Sequence, residues 1–270
     1  MTNAIIYRPL AMIALTTLLV GCFSGGAPAL SPTGRRIQEM NERALQSVER
    51  QRFDDARTVL DEALRLATSL DDGPQQTLTL LNLARLERRL GRLPQAELLL
   101  DRARRTAAVT GYAADLAQET ALLKIAQNNL PEAERWATIA LKEEQGSMSG
   151  RRLNLLARIA LLNGNNQEAL RLAEQALGNA NSFGMAEERA NSLRIIGQVR
   201  SHEKRFDEAE RLLNEALTLD RQQERPLKIA ADLEALAQLM EMKGHAEQSR
   251  EFRQRARMVR ESSTAPRGGL

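Results

Sequence analysis

Residues 205–217 read Arg-Phe-Asp-Glu-Ala-Glu-Arg-Leu-Leu-Asn-Glu-Ala-Leu, a helix-forming run with two alanines, Ala209 and Ala216, seven residues apart. The same pair recurs as Ala56/Ala63, Ala96/Ala103, Ala133/Ala140 and Ala169/Ala176, and once more as Ser249/Ala256. Successive first members stand 36 to 40 residues apart. A sustained period of that length marks an array of stacked helical pairs, each unable to bury its apolar face alone.

A second period shares this register. Twelve residues before each first member stands another small residue: Ala44, Ala84, Ala121, Ala157, Gly197 and Ala237. A large aliphatic residue usually precedes it, as at Leu83, Leu156, Ile196 and Leu236, while Arg43 and Thr120 depart. Small residues on facing helices let two backbones approach, and the adjoining Leu or Ile fills the space beside them. Ala209 is therefore expected to face Gly197, and Ala216 to pack against the next unit. Turn signals separate the helices at Gly91-Arg92-Leu93-Pro94, Asn128-Asn129, Asn163-Gly164-Asn165, Lys204 and Lys243-Gly244. Pro94 and Pro131 fall in first turns, where a missing N–H has no helical partner in any case. These signals divide the chain into units at about 36–73, 75–111, 113–146, 150–184, 186–224 and 226–260.

The small residues at two offsets, the aliphatic before the first and the later alanine resemble the tetratricopeptide repeat. The resemblance covers residues 36–260. It implies an all-α, right-handed α-solenoid of about six helix-turn-helix units. The aromatics and closing proline of that family are mostly absent here, and the linkers stretch its period. The last unit departs most, with Ser249 in place of alanine and a basic second helix. It reads first as a solvating terminal cap and second as a basic docking site. Residues 261–270 contain Ser, Pro and Gly and are expected to be a disordered tail.

Composition agrees with helices packed through Ala and Leu. Aromatic residues are 3% of the 270, and no β-branched alternating run reads as a strand. The 38 bases nearly balance 35 acids, so no basic footprint for nucleic acid is present.

The first 21 residues read as an export signal. Arg8 supplies charge, Leu10 to Val20 is an apolar run, and Arg8-Pro9 keeps that run too short to span a bilayer. The run ends Leu19-Val20-Gly21-Cys22, which looks like a bacterial lipobox, and Cys22 is the only cysteine. The resemblance implies cleavage after Gly21 and lipidation of Cys22, with two or more acyl chains giving a stable membrane anchor. Phe23 rather than Asp follows the cysteine, which favours an outer-membrane lipoprotein facing the periplasm in a Gram-negative host. Residues 22–35, rich in Gly, Pro, Ser and Ala, are expected to be a flexible tether.

No constellation for catalysis appears. Cys22 is committed to lipid, and His202 and His245 lie in different units without metal-ligand spacing. Asp54/Asp55 and Glu187/Glu188 fall in first turns, where the helix dipole accounts for them. No catalytic residue, metal site, cofactor or enzymatic activity is expected.

Binding remains. In tetratricopeptide arrays the second, fifth and ninth positions of each first helix line a concave groove. The resemblance puts Leu78, Leu81 and Arg85 there in unit two, and Asp115, Gln118 and Leu122 in unit three. Units four and five add Arg151, Asn154, Arg158, Asn191, Arg194 and Gln198. Arginine forks take carboxylates bidentately and amides take peptide backbone. Arg85, Gln118, Arg151, Asn154, Arg158, Asn191, Arg194 and Gln198 are thus the candidate partner-binding residues, with an acidic or C-terminal segment of an envelope protein as the expected occupant. A solvated helix face would carry the same residue types. The expected role is a membrane-anchored periplasmic scaffold in pilus, secretion, barrel or cell-wall machinery. The alternative is an exported repeat protein that binds a small ligand or cell-wall fragment, and a closed pocket would favour it. A cytoplasmic regulatory array requires retention of the first 21 residues. The oligomeric state stays open.

Overall fold

The computed structural model describes residues 31–106, 111–144 and 148–264. Among them are twelve helices and no strand. They pair as α1 (Pro32–Glu49) with α2 (Phe53–Ser69), α3 (Gly73–Arg89) with α4 (Leu93–Thr106), and α5 (Ala113–Ala126) with α6 (Leu130–Lys142). The second half pairs α7 (Ser149–Leu162) with α8 (Asn166–Phe183), α9 (Ala186–His202) with α10 (Phe206–Gln222), and α11 (Pro226–Met242) with α12 (Ala246–Thr264). The export signal, Cys22 and residues 265–270 lie outside the described residues.

Helix α1 begins inside the segment read as tether. Ser31 caps it by accepting from the Gly34 N–H at 3.0 Å, and Pro32 occupies the first turn. At the other end α12 runs four residues past Arg260. Among the described residues, no helix is long and apolar enough to cross a membrane.

One turn geometry recurs along the stack. After α7 the Gly164 N–H donates to Leu161 O at 3.0 Å and the Asn165 N–H to Ala160 O at 2.9 Å. This closes the helix around a left-handed residue, Gly164 at φ 74°. The same crossed pair of bonds ends α1, α2, α3, α5, α9, α10 and α11. The second asparagine of two of these turns then caps the next helix: Asn129 accepts from the Glu132 N–H, and Asn165 from the Glu168 N–H.

Within each unit the small residues meet as the periodicity requires. Ala44, Ala84, Ala121, Ala157, Ala237 and their partners from Ala56 to Ala209 are fully buried. In unit five the approach leaves no room for a side chain: a Cβ at Gly197 would stand 2.8 Å from Leu213 Cγ and 3.4 Å from the Ala209 carbonyl oxygen. Ala216 differs from the expectation. It clusters with Leu193, Ile196 and Leu212 toward unit four, while Leu213 and Leu217 reach Leu233 and Leu236 of unit six. Leu213 and Leu217 stand about 100° around α10 from Leu212 and Ala216, so the crossing of α10 with α11 sets the leucines, not the second alanine, onto the next unit.

First helices of neighbouring units pack against each other (α1 on α3, α3 on α5, and so on to α9 on α11), whereas second helices do not. A stack whose first helices touch and whose second helices splay must curve with the first helices inside. The curl brings the two ends together, since Gln51 Nε2 in the first turn donates to Ser263 Oγ near the end of α12.

Candidate binding face

The inner face is built by α1, α3, α5, α7, α9 and α11, and its polar residues are mostly spent on lacing units together. Asn41 donates to Thr79 at 2.9 Å and accepts from Asn82 at 2.8 Å, joining α1 to α3. Arg85 bonds Asn82 at 3.1 Å and reaches Glu119 at 3.3 Å, and Arg88 bonds the other oxygen of Glu119. Arg152, only 2% exposed, donates to Asp115 at 2.9 Å, to Glu144 at 3.2 Å and to Gln118. Asn154 donates to the Glu188 carboxylate at 3.0 Å and accepts from Ser192 at 2.8 Å. Arg151 stands 3.5 Å from the same Glu188. Apart from Arg85–Asn82 and Arg152–Glu144, each link spans about one repeat, so one register of the stack satisfies them all. Buried polar groups left unpaired would cost free energy, so the lacing also penalises wrong registers.

The tightest knot is in units five and six. Arg194 donates to Asp220 and Asp232, both fully buried, and to Asn191 at 3.0 Å. Burial pushes the Asp232 carboxyl up to about 7 against the pull of Arg194, and Asp220 beside it pushes the same way. Asn191 also donates to Glu188 at 3.2 Å and accepts from Lys228 at 2.8 Å.

Of the eight residues expected on the groove, the structure therefore divides the set. Gln118, Asn154 and Arg194 are buried between units, and Arg85, Arg151 and Asn191 are half-buried and bonded. Arg158 and Gln198 are the two that carry no hydrogen bond or ion pair. The sequence reading missed the acids that consume the donors: Glu119, Glu188, Asp220 and Asp232. The signal was present as opposite charges one repeat apart, as in Arg85/Glu119 and Arg194/Asp232.

Arg158 is open to water, yet the curved wall around it displaces enough of that water to lower its pKa. Arg88 and Arg194, facing it from units two and five, act in the same direction. Lys228 is held lower still, at about 8, by burial and by Arg194 and Arg225, against Glu187 and Glu188. It touches an amide and no carboxylate. The inner face of units four to six thus holds two cations without a carboxylate contact.

A cavity of about 280 Å³ opens between α9 and α11, lined by Gln198, His202, Ala235, Gln238 and Met242 among others. Gln238 is exposed and, like Gln198, unbonded. A second cavity, about 230 Å³, lies among α4, α5 and α6, where Arg104 stacks 5.1 Å from the centroid of Trp136 and Lys124 bonds Glu97 at 2.7 Å. Among the described residues, no group of three or more His, Cys, Asp or Glu side chains is placed to hold a metal ion.

Comparison with known proteins agrees with this architecture. Among solved structures, the Rap conjugation gene regulator of plasmid pLS20, in complex with the Phr* peptide, superposes with a TM-score of 0.73 at 18% identity, covering 87% of this chain and 65% of that one. BtubC from P. vanneervenii gives 0.57 at 17% identity, covering 87% and 94%. Pseudomonas aeruginosa pilF gives 0.56 at 12% identity, covering 87% and 97%. No curated protein matches by sequence. One tetratricopeptide repeat family model matches residues 38–108 and 151–222, and another matches 119–182. The chain belongs to the tetratricopeptide repeat family.

Proposed function

We propose that the protein is a lipid-anchored scaffold of the periplasm that holds another envelope protein through its inner face. The observation that carries the binding part is Arg158, a groove cation with no hydrogen bond or ion pair, whereas the other first-helix arginines of units two to five are paired with acids. An acidic segment supplies the missing charge, and a charge-assisted bond in a partly desolvated groove is stronger than one on an open surface. A peptide-bound neighbour of the same fold, the pLS20 Rap regulator, supports a peptide as the occupant. The two cavities, about 230 and 280 Å³, fall below the roughly 300–1,000 Å³ of sites that enclose a small-molecule ligand. The anchor rests on Leu19-Val20-Gly21-Cys22 alone.

The test of binding is Arg158→Glu with capture of crosslinked partners in cells. Arg158 is the residue to change because its loss breaks no fold contact. Arg194→Glu would set a third carboxylate against Asp220 and Asp232 and unfold that region. Partners should be lost in Arg158→Glu while helicity is kept, and an unchanged set of partners would sink the proposal. For the anchor, Cys22→Ala should abolish palmitate labelling; retained labelling refutes lipidation there.

A further inference from the structure

Six inner-face residues of units four to six form a track in which only His202 makes a side-chain hydrogen bond within the fold. Arg158, Gln198 and Gln238 occupy the same register position in successive units, and Leu162, His202 and Met242 stand one helical turn further on. Leu162 is 51% exposed and Met242 44% exposed, although both lie on the side of the stack that faces inward. Gln198 and Gln238 have unbonded amides. His202 is tied only to Asn166, across 3.0 Å. Each unit thus offers one polar head above one largely apolar or ring-bearing side chain, and the 280 Å³ cavity opens where the rows of units five and six meet.

The three features call for different parts of one ligand. Arg158, walled by Arg88 and Arg194, calls for a carboxylate. The two glutamine amides, each both donor and acceptor, suit the N–H and C=O of an extended backbone. The cavity is lined by Ala235 and by Met242, a flexible apolar side chain that adapts to the shape it meets, with Ser201 and Glu241 also on its lining. That space has room for an aliphatic side chain. Arg158 stands in unit four and the cavity lies between units five and six. With packed helices about 8–10 Å apart, this is on the order of 15 Å, which an extended chain at about 3.3 Å per residue covers in four or five residues.

We infer that this track binds an extended peptide bearing a carboxylate at Arg158 and, about four or five residues away, an aliphatic side chain in the cavity between α9 and α11. The inference rests on the reading of the inner face as a partner-binding groove and adds the partner's sequence pattern. Neutral or basic segments lose at Arg158, and acidic segments without the aliphatic residue leave Met242 and Leu162 exposed.

The experiment is fluorescence anisotropy of the full chain with labelled decapeptides that scan the spacing between one Glu and one Leu in a Gly/Ser background. Matched peptides carrying a free or an amidated C-terminus separate a side-chain carboxylate from a terminal one. Binding should peak at a separation of four or five. Arg158→Gln should weaken the best peptide about ten- to hundred-fold, the effect of one charge-assisted bond. Met242→Lys, at an exposed position, should remove the preference for Leu over Ser and keep the preference for Glu. Circular dichroism confirms that both variants stay helical, and Leu162→Lys is a second exposed variant should either fail. Acidic peptides that bind with no spacing or aliphatic preference overturn the inference and leave the groove reading standing. The same holds if no decapeptide binds while cellular partners are still captured through Arg158. Loss of both overturns both.

Discussion

The buried knot of Asp220, Arg194 and Asp232 predicts an unusual pH dependence of stability. Asp232 is fully buried, and one of its oxygens has no hydrogen-bond partner. Its carboxyl sits at about 7 in the folded chain, against about 4 for an aspartate in water. A carboxyl raised on folding binds more protons in the folded state, so its contribution is present at low pH and is lost as pH rises through the folded value. The window runs from about 4 to about 7. Each unit of pH in it is worth about 1.4 kcal/mol, so moving from about pH 5.5 to about pH 7.5 should remove about 2 kcal/mol. Lys228, held at about 8, begins to act only above that range and with the opposite sign. Glu97 and Glu187 are held below the usual carboxylate range, by bonds from Lys124 and Gln127 in one case and by Arg225 against burial in the other, and act only in acid. The assay is urea unfolding followed by circular dichroism at both pH values, for the native chain and for Asp232→Asn. The native chain should be the more stable at about pH 5.5, and the variant should lose most of the difference. Equal stability at the two pH values, or a full pH effect retained in Asp232→Asn, refutes the placement of a protonatable carboxyl in this knot.

Two further outcomes follow from packing and pairing. Ala209→Leu should destabilise by about 1–3 kcal/mol in thermal or urea unfolding, because the Ala209 backbone and Leu213 already press on Gly197 and leave no space for the added isopropyl group; unchanged unfolding would mean that α9 and α10 are not in this register. Arg152→Met should cost about 1.5–3 kcal/mol by removing the buried guanidinium that Gln118, Asp115 and Glu144 share, and a neutral result would mean that Arg152 does not tie α5 to α7.

The stack was legible because its determinants are local and repeated. An alanine at a fixed offset, a Gly or Asn at the turn and a second Asn as cap each act within a few residues, as at Asn128-Asn129 and Asn163-Gly164-Asn165. The inner face was legible in position and misleading in availability. Arg194 has the right register to meet a ligand and is occupied by Asp232, 38 residues on, and by Asp220, 26 residues on. Nothing within one helix marks that occupation, since the pairing depends on how far the next unit is rotated. Ala216 shows the same limit at the level of packing. Its offset is shared with five other units, but which neighbour it touches is set by the crossing of α9, α10 and α11 and not by the period.

The lacing bears on how the inner face can bind. In a solenoid each unit touches only its neighbours, so curvature is set joint by joint. Units four to six are joined by the buried network that runs from Asn154 through Glu188, Ser192 and Asn191 to Arg194 and Asp232. That half of the molecule is therefore held in one register by buried polar contacts. Arg158, Gln198, Gln238 and Met242 all lie on it. Presenting them from units already joined by these bonds lowers the ordering cost of binding. The acids that neutralise Arg194 thus serve the groove indirectly: they give up one arginine as a ligand contact and fix the spacing of the remaining ones.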